Sequence, residues 1–283
     1  MSELNNTPHT QSDATSPEQP GDTPPVQAAI QTEMLSQQAE AASVRDVSTR
    51  RQTILSVVIV LLLTPLTLII NEQIGPGSFY LPSMLMVIYA MVPFFVSFES
   101  SRPTAREITL LAVMCALAAV SRIAFYWLPG FKPMAGIIAI AGIALGAREG
   151  FLVGSLSMFA SNFFFTQGSW TPWQMLAYGL IGFAAGLLAD RGVIPRENLS
   201  RKQLLALCCG AFVFMMVVVG PVLDTSTLFF MISRITPESL IAIYTASIPA
   251  NAMQGAATFL TLLLVCNPLL AMIARVKLKY GIT

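Results

Sequence analysis

The chain has 283 residues, 54% of them hydrophobic and only 11% charged, with a mean hydropathy of +0.67. That apolar content exceeds ordinary soluble usage and marks an integral membrane protein. Its 16 Lys and Arg nearly cancel its 15 acids, but seven acids and one Arg precede Ser48, and the bases behind them are scattered between apolar runs, which excludes a nucleic-acid-binding stripe.

From residue 1 to about residue 49 the chain is rich in Ser, Thr, Pro, Gln, Asp and Glu and has no aromatic residue. It cannot bury enough apolar surface to fold alone, and reads as a disordered polar arm. Nor does it have the basic start, apolar core and small-residue cleavage site of a signal peptide. Thr53 to Ile70 follows Arg50 and Arg51 and is long enough to cross a hydrocarbon slab of about 30 Å at about 1.5 Å per residue. Phe79 to Phe98 is a second such stretch, and the polar Gly/Pro turn between them makes residues 50–100 an antiparallel hairpin. Ile108 to Leu128 is a third.

Met134 to Gly146 and Phe151 to Phe165 are short, Gly-interrupted runs on either side of Arg148-Glu149. Such runs point to broken or tilted helices around a binding cavity. Trp173 to Ala189, Leu204 to Leu223 and about Leu240 to Ala274 complete an all-α, polytopic architecture of about eight transmembrane helices. With the arm inside, thirteen Lys and Arg fall on the inner side, whereas Lys132 and Arg234 fall on the outer side and Arg122 lies within the third helix. This bias places both termini in the cytoplasm, in a multi-pass protein of the cell membrane.

Chemistry is narrowed by what is missing from the spans. The only histidine is His9, and Cys115, Cys208, Cys209 and Cys266 lie inside apolar runs as packing residues, so no metal site, cofactor or catalytic residue is expected. An intramembrane enzyme is therefore the weakest reading. No G-x-x-x-x-G-K-[ST] occurs, so ATP-driven work would belong to partner subunits.

Amide, hydroxyl and indole groups concentrate between Asn162 and Met175, a segment that includes Gln167, Trp170, Trp173 and Gln174. An interfacial aromatic belt with a helix start explains the indoles, whereas a binding lip for an aromatic, polar-edged ligand also explains the amides. Gly142, Gly146, Gly150 and Gly154, then Gly182 and Gly186, permit close helix approach, most simply within one subunit. Arg122, Asn251 and Gln254 are polar groups at membrane depth, and Asp224 sits just beyond the expected end at Leu223. Arg122 either snorkels, neutralises Asp224 or meets a ligand. Asn251 and Gln254, three apart on one helix face after Pro249, suit a bound molecule or interhelical contact.

The order Arg122-Ile-Ala-Phe, Phe131-Lys132-Pro133, Gly142-Ile-Ala-Leu-Gly146-Ala-Arg-Glu-Gly150, Asn162-Phe-Phe-Phe-Thr-Gln-Gly168 and Trp170-Thr-Pro-Trp-Gln-Met175 resembles the substrate-binding S components of energy-coupling factor (ECF) vitamin transporters. The resemblance covers about Ala105 to Lys279. It implies a six-helix bundle, here over residues 101–283 behind the extra hairpin, that captures a vitamin and docks on a transmembrane T component driven by two ABC-type ATPases. It also implies a partner-facing A-x-x-x-A pair at Ala112 and Ala116. By location, the implied pocket would use Lys132, Asn162, Gln167, Trp170, Trp173, Gln174, Asn251 and Gln254. A corrinoid such as cobalamin, or its precursor, is the first cargo suggested by this likeness, and riboflavin the second. The competing reading is a self-sufficient channel or secondary transporter that uses Arg122 and Asp224 as a coupling pair.

Overall fold

A computed structural model describes residues 80–100, 103–231 and 236–281. The expected polar arm and the first helix of the hairpin, Thr53 to Ile70, lie outside the described residues. Within them the protein is all-helical: α1 (Tyr80–Ser100), α2 (Ala105–Ala124), α3 (Met134–Leu145), α4 (Ala147–Phe165), α5 (Thr171–Asp190), α6 (Arg201–Phe214), α7 (Gly220–Met231) and α8 (Pro237–Tyr280). A single π-helical turn, Met215–Val219, joins α6 and α7 into one rod. Among the described residues, five helical segments are long and apolar enough to cross a membrane, and α3 is a shorter apolar helix.

Local chemistry fixes the ends of these helices. Thr104 and Glu107 form a capping box that starts α2, the Thr104 amide donating to Glu107 Oε2 at 2.6 Å. Ser200 and Gln203 repeat the device at α6, and Thr236 and Ser239 at α8. Each satisfies amides that would otherwise be orphaned at a helix start. Gly281, at φ 60°, closes α8 in the left-handed conformation that glycine adopts without steric cost.

The sequence placed Arg148-Glu149 between two short apolar runs, and the helical break there is one residue long. Gly146, at φ 121° and ψ 169°, donates its amide to Gly142 O at 2.8 Å to end α3 and accepts from the Gly150 amide at 2.9 Å to begin α4. Only glycine takes that conformation readily. Asp190 Oδ2 accepts from the Ala147 amide at 3.0 Å, placing a carboxylate on the start of α4. Arg148 and Glu149 therefore belong to the first turn of a helix, and Arg148 Nη1 donates to the Ser97 carbonyl of α1 at 3.2 Å.

A second departure lies at Asp224, which was expected outside a helix and is instead buried within α7. Thr225 and Ser226 donate their hydroxyls back to the carbonyls of Pro221 and Leu223, each at 2.7 Å, so a polar stretch stays helical by satisfying itself. Pro221 has no amide to donate, and the helix widens to its π turn just before it.

α3 is the centre of the bundle: every residue from Met134 to Ala144 is buried, as a helix apolar on all sides requires. α4 and α5 pack on it and on each other, α2 lies against α3 and α4, and α8 closes the other side together with α6. α1 docks on α4 and α5, where Phe94 stacks on Phe151 with ring centroids 3.8 Å apart. Arg106 Nη1 donates to Tyr280 O at 2.6 Å and Lys277 Nζ to Ala144 O at 3.5 Å. The start of α2 and the ends of α3 and α8 therefore share one end of the bundle.

The expected role of the glycine series in packing is realised at the α3–α4–α5 contact. A Cβ on Gly142 would run into the Gly182 carbonyl, one on Gly182 into the Gly150 carbonyl, and one on Gly150 would stand 2.6 Å from Gly142 Cα. These backbones touch, and backbone cannot yield as a flexible side chain does. Replacing Gly182 with Val should destabilise the bundle by about 3 kcal/mol, read as a lowered thermal midpoint of the detergent-solubilised protein. At Gly192, where nothing lies within 4 Å of an added Cβ, Ala introduces no such clash, and any cost there comes only from the positive φ of 70°.

Candidate functional site

The C-terminal ends of α2 and α4 and the start of α5 meet in a hydrogen-bonded network centred on Arg122. Its Nη1 donates to Ser161 Oγ at 2.6 Å and Asn162 Oδ1 at 2.7 Å and lies 3.1 Å from Met158 Sδ. The guanidinium carbon sits 4.3 Å from the centroid of the Phe165 ring, an attractive cation–π arrangement. All of these partners are neutral. The polar contacts fall on Nη1, so among the described residues Nη2 and Nε have no protein acceptor.

Asn162 is 1% exposed and relays this network to α5. Its Nδ2 donates to Gln174 Oε1 at 2.8 Å and to Thr171 Oγ1 at 3.2 Å. Thr171 Oγ1 in turn donates to Gln167 Oε1 at 3.0 Å, while Gln167 Nε2 donates to the Phe159 carbonyl at 2.9 Å. The loop between α4 and α5 is thereby tied to both helices. Thr166, at φ 80°, lies in the left-handed region at this corner, where a β-branched residue is strained and must be held by its surroundings.

Lys132 joins the same end from the loop before α3, its Nζ 5.7 Å from the Phe165 ring centroid. Burial and, secondarily, the neighbouring Arg122 guanidinium hold the Lys132 ammonium below its usual lysine range. Trp170 and Trp173 point toward the end of α7 instead: Trp170 meets Phe230 edge-on at 5.8 Å, and Trp173 lies 5.9 Å from Phe229. Trp170, Trp173 and Gln174 are all partly exposed.

Asn251 and Gln254 share a face of α8 but have different neighbours. Gln254 Oε1 accepts from the Tyr178 hydroxyl at 3.0 Å, and Tyr178 lies one turn beyond Gln174 on α5, so this pair continues the polar face of α5 across to α8. Asn251 belongs to a second cluster: its Nδ2 donates to Asp224 Oδ2 at 3.0 Å, and Ser247 Oγ donates to the same oxygen at 2.5 Å. Gly220 makes room for it, since an added Cβ would stand 2.5 Å from Asn251 Nδ2. Arg122 and Asp224 thus sit in separate networks, and no ion pair joins them among the described residues, contrary to the neutralisation considered from sequence.

The structure therefore gathers Lys132, Asn162, Gln167 and Gln174 around Arg122, with Gln254 linked through Tyr178, Trp170 and Trp173 beside α7, and Asn251 apart. Ser161, Thr171 and Tyr178 were not anticipated. A signal existed: Thr171, Gln174 and Tyr178 recur at i, i+3 and i+7, the spacing of one helix face. Ala112 and Ala116 are exposed on α2 in the company of Val113 and Leu117. The four cysteines carry unpaired thiols.

Comparison with known proteins agrees with this architecture. A UPF0397 protein of Vibrio atlanticus (strain LGP32) is 25% identical over 116 residues, covering 37% of this chain and 63% of the relative. A UPF0397 protein of Aliivibrio fischeri (strain MJ11) is 27% identical over 116 residues, covering 38% and 63%. The chain thus spans less than two thirds of the length of the curated relatives it matches. No solved structure matches it. The family model described as ECF-type riboflavin transporter, S component, matches residues 102–275, from the start of α2 to the last turns of α8, and the chain belongs to that family.

Proposed function

We propose that this protein is the vitamin-capturing membrane subunit of an ATP-driven ECF-type uptake transporter, taking its cargo at the Arg122 end of the bundle. The observation that carries the reading is the network Arg122–Asn162–Gln174: a cation served only by neutral acceptors, with amides from two helices and an aromatic wall at Phe165. Such a set offers directional donors and acceptors to a neutral, oxygen-rich ligand, and Trp170 and Trp173 add flat faces for a ring. Catalysis has no part in this reading, because a binding subunit needs selective contacts and a route to release rather than general acid–base pairs. It belongs in the cell membrane, and the Lys and Arg bias supports an orientation with both termini in the cytoplasm and the Arg122 end outward.

The cargo that best suits this site is a flavin-sized vitamin, riboflavin itself being the leading candidate. The family description supports this choice over the corrinoid first suggested by the loop sequence. A flavin has a planar heteroaromatic ring edged with carbonyl and imino acceptors, matching the Nη2 and Nε donors of Arg122 and the amides of Gln174 and Gln254. Energy would come from a transmembrane T component and two ABC-type ATPases, since the sequence contains no P-loop of its own. The A-x-x-x-A pair Ala112 and Ala116 is exposed to receive the T component by close helix packing.

Riboflavin fluorescence titrated with the purified full chain, without ATP, tests the cargo. Saturable quenching that hydroxocobalamin does not displace supports the flavin, while binding of hydroxocobalamin alone transfers the site to corrinoids. Replacing Trp170 or Trp173 with Ala should weaken capture by about 1–3 kcal/mol, by analogy with stacking of bases on aromatic side chains, a rise in Kd of roughly 5- to 150-fold. The thermal midpoint without ligand should hold, and unchanged affinity in both variants would move the pocket elsewhere.

The partner surface has its own measurement. Ala112→Leu and Ala116→Leu should leave riboflavin affinity within about twofold, because both side chains face outward, yet abolish uptake in cells that co-express the T component and ATPases. Lost binding in either variant would make these alanines part of the subunit's internal packing.

A further inference from the structure

α5 and α6 follow each other in sequence but diverge in space. α5 packs on α3 and α4, whereas α6 packs on α8. Between them lies an apolar groove of about 380 Å³, walled by Ala184, Ala185 and Leu188 of α5 and by Ala206, Gly210 and Phe214 of α6. An added Cβ at Gly210 would meet nothing within 4 Å, so the space beside α6 is open. The groove runs from Gln203 to Met215, and at about 1.5 Å per residue the twelve steps between them span about 18 Å. One leaflet of a hydrocarbon core of about 30 Å is about 15 Å deep.

Its mouth is basic. Between Asp190 and Gln203 there are four bases against two acids. Asp190 is already engaged by Arg196, at 2.6 Å, and by the Ala147 amide, and Glu197 lines a different cavity with Lys277. Arg191, Arg201 and Lys202 remain exposed next to the groove-lining residues Val193 and Gln203. Basic residues flanking a groove between membrane helices attract acidic lipid headgroups.

We propose that this groove holds one acyl chain of an anionic phospholipid, its headgroup phosphate lying among Arg191, Arg201 and Lys202. The small side chains of Ala184, Ala185, Ala206 and Gly210 give a flexible hydrocarbon chain the room that a neighbouring helix would otherwise fill. The Lys- and Arg-rich end of the bundle places the headgroup in the corresponding leaflet, away from the Arg122 network. This lipid site stands whatever vitamin the outer end takes, since the two share no residue.

Native mass spectrometry of the full chain in detergent, with phosphatidylglycerol or phosphatidylcholine added at equal concentration, tests the proposal. Phosphatidylglycerol should be retained preferentially. Arg201→Gln and Lys202→Gln should each erode that preference by about fivefold without removing phosphatidylcholine adducts. Gly210→Phe, whose added Cβ would meet nothing within 4 Å and whose ring occupies the groove, should strip both lipids while the thermal midpoint in detergent holds, and Ala206→Leu serves if that variant fails to fold. Equal retention of both lipids by the unaltered chain, adducts that survive Gly210→Phe, or a dimer mass that this substitution splits would each overturn the assignment, the last by giving the groove to a second copy.

Discussion

The contact on which the structure depends is the backbone-to-backbone approach of Gly142, Gly150 and Gly182. Helices in lipid gain little from hiding apolar surface, because the tails around them are equally apolar, so their association rests on van der Waals contact and hydrogen bonds. Glycines let α3, α4 and α5 close until their main chains touch. The same seam then continues along α4 and α5. Gly154 abuts the Tyr178 carbonyl, and Ser155 Oγ donates to Met175 O at 3.0 Å. Where α4 ends and α5 begins, Asn162 reaches Gln174 and Thr171. The amide network is therefore positioned by packing about two to three turns away along α4 and α5.

The polar groups within the bundle divide into two systems with different electrostatic characters. Arg122 is surrounded by a hydroxyl, an amide, a thioether and an aromatic face, and Asp224 by a hydroxyl and an amide. A charge at membrane depth is costly, and each of these is stabilised by hydrogen bonds rather than by an opposite charge. A carrier that coupled transport to an Arg–Asp pair would need them within reach of each other, whereas Arg122 bonds to α4 and Asp224 to α8, and no ion pair joins them among the described residues. Asp224 instead fastens α7 to α8 beside the π turn and Pro249, where the backbone ladder is weakest.

Helix positions were largely legible in the sequence because long apolar runs admit one interpretation in a bilayer. The run read as Trp173 to Ala189 became Thr171–Asp190, with Pro172 in the first turn where its missing amide costs nothing. The errors came from polar residues. Arg148-Glu149 separated two apolar runs in the sequence, yet the break is Gly146 alone, because one glycine at positive φ ends α3 and charges tolerate a helix start. Asp224-Thr-Ser-Thr resembled an exit from the membrane, yet hydroxyls that bond back to preceding carbonyls keep it helical. Which polar side chains would meet was not legible. Asn251 and Gln254 share a face, but α7 meets one through Asp224 and α5 meets the other through Tyr178, contacts between segments far apart in the chain.

α1 lies outside the stretch matched by the family and packs on α4 and α5. Its Phe94 stacks on Phe151 and meets Phe183 edge-on, contacts that contribute about 0.5–1.5 kcal/mol each beyond simple burial. Ser97 takes a hydrogen bond from Arg148 at the far end of the same interface. These contacts hold α1 against α4 and α5, while α2 keeps its small-residue face exposed at Ala112 and Ala116. An additional helix that had packed on α2 would have buried its exposed Ala112 and Ala116. Because α1 covers a different side, the chain can carry an extra membrane helix and still present the surface that its proposed partner requires.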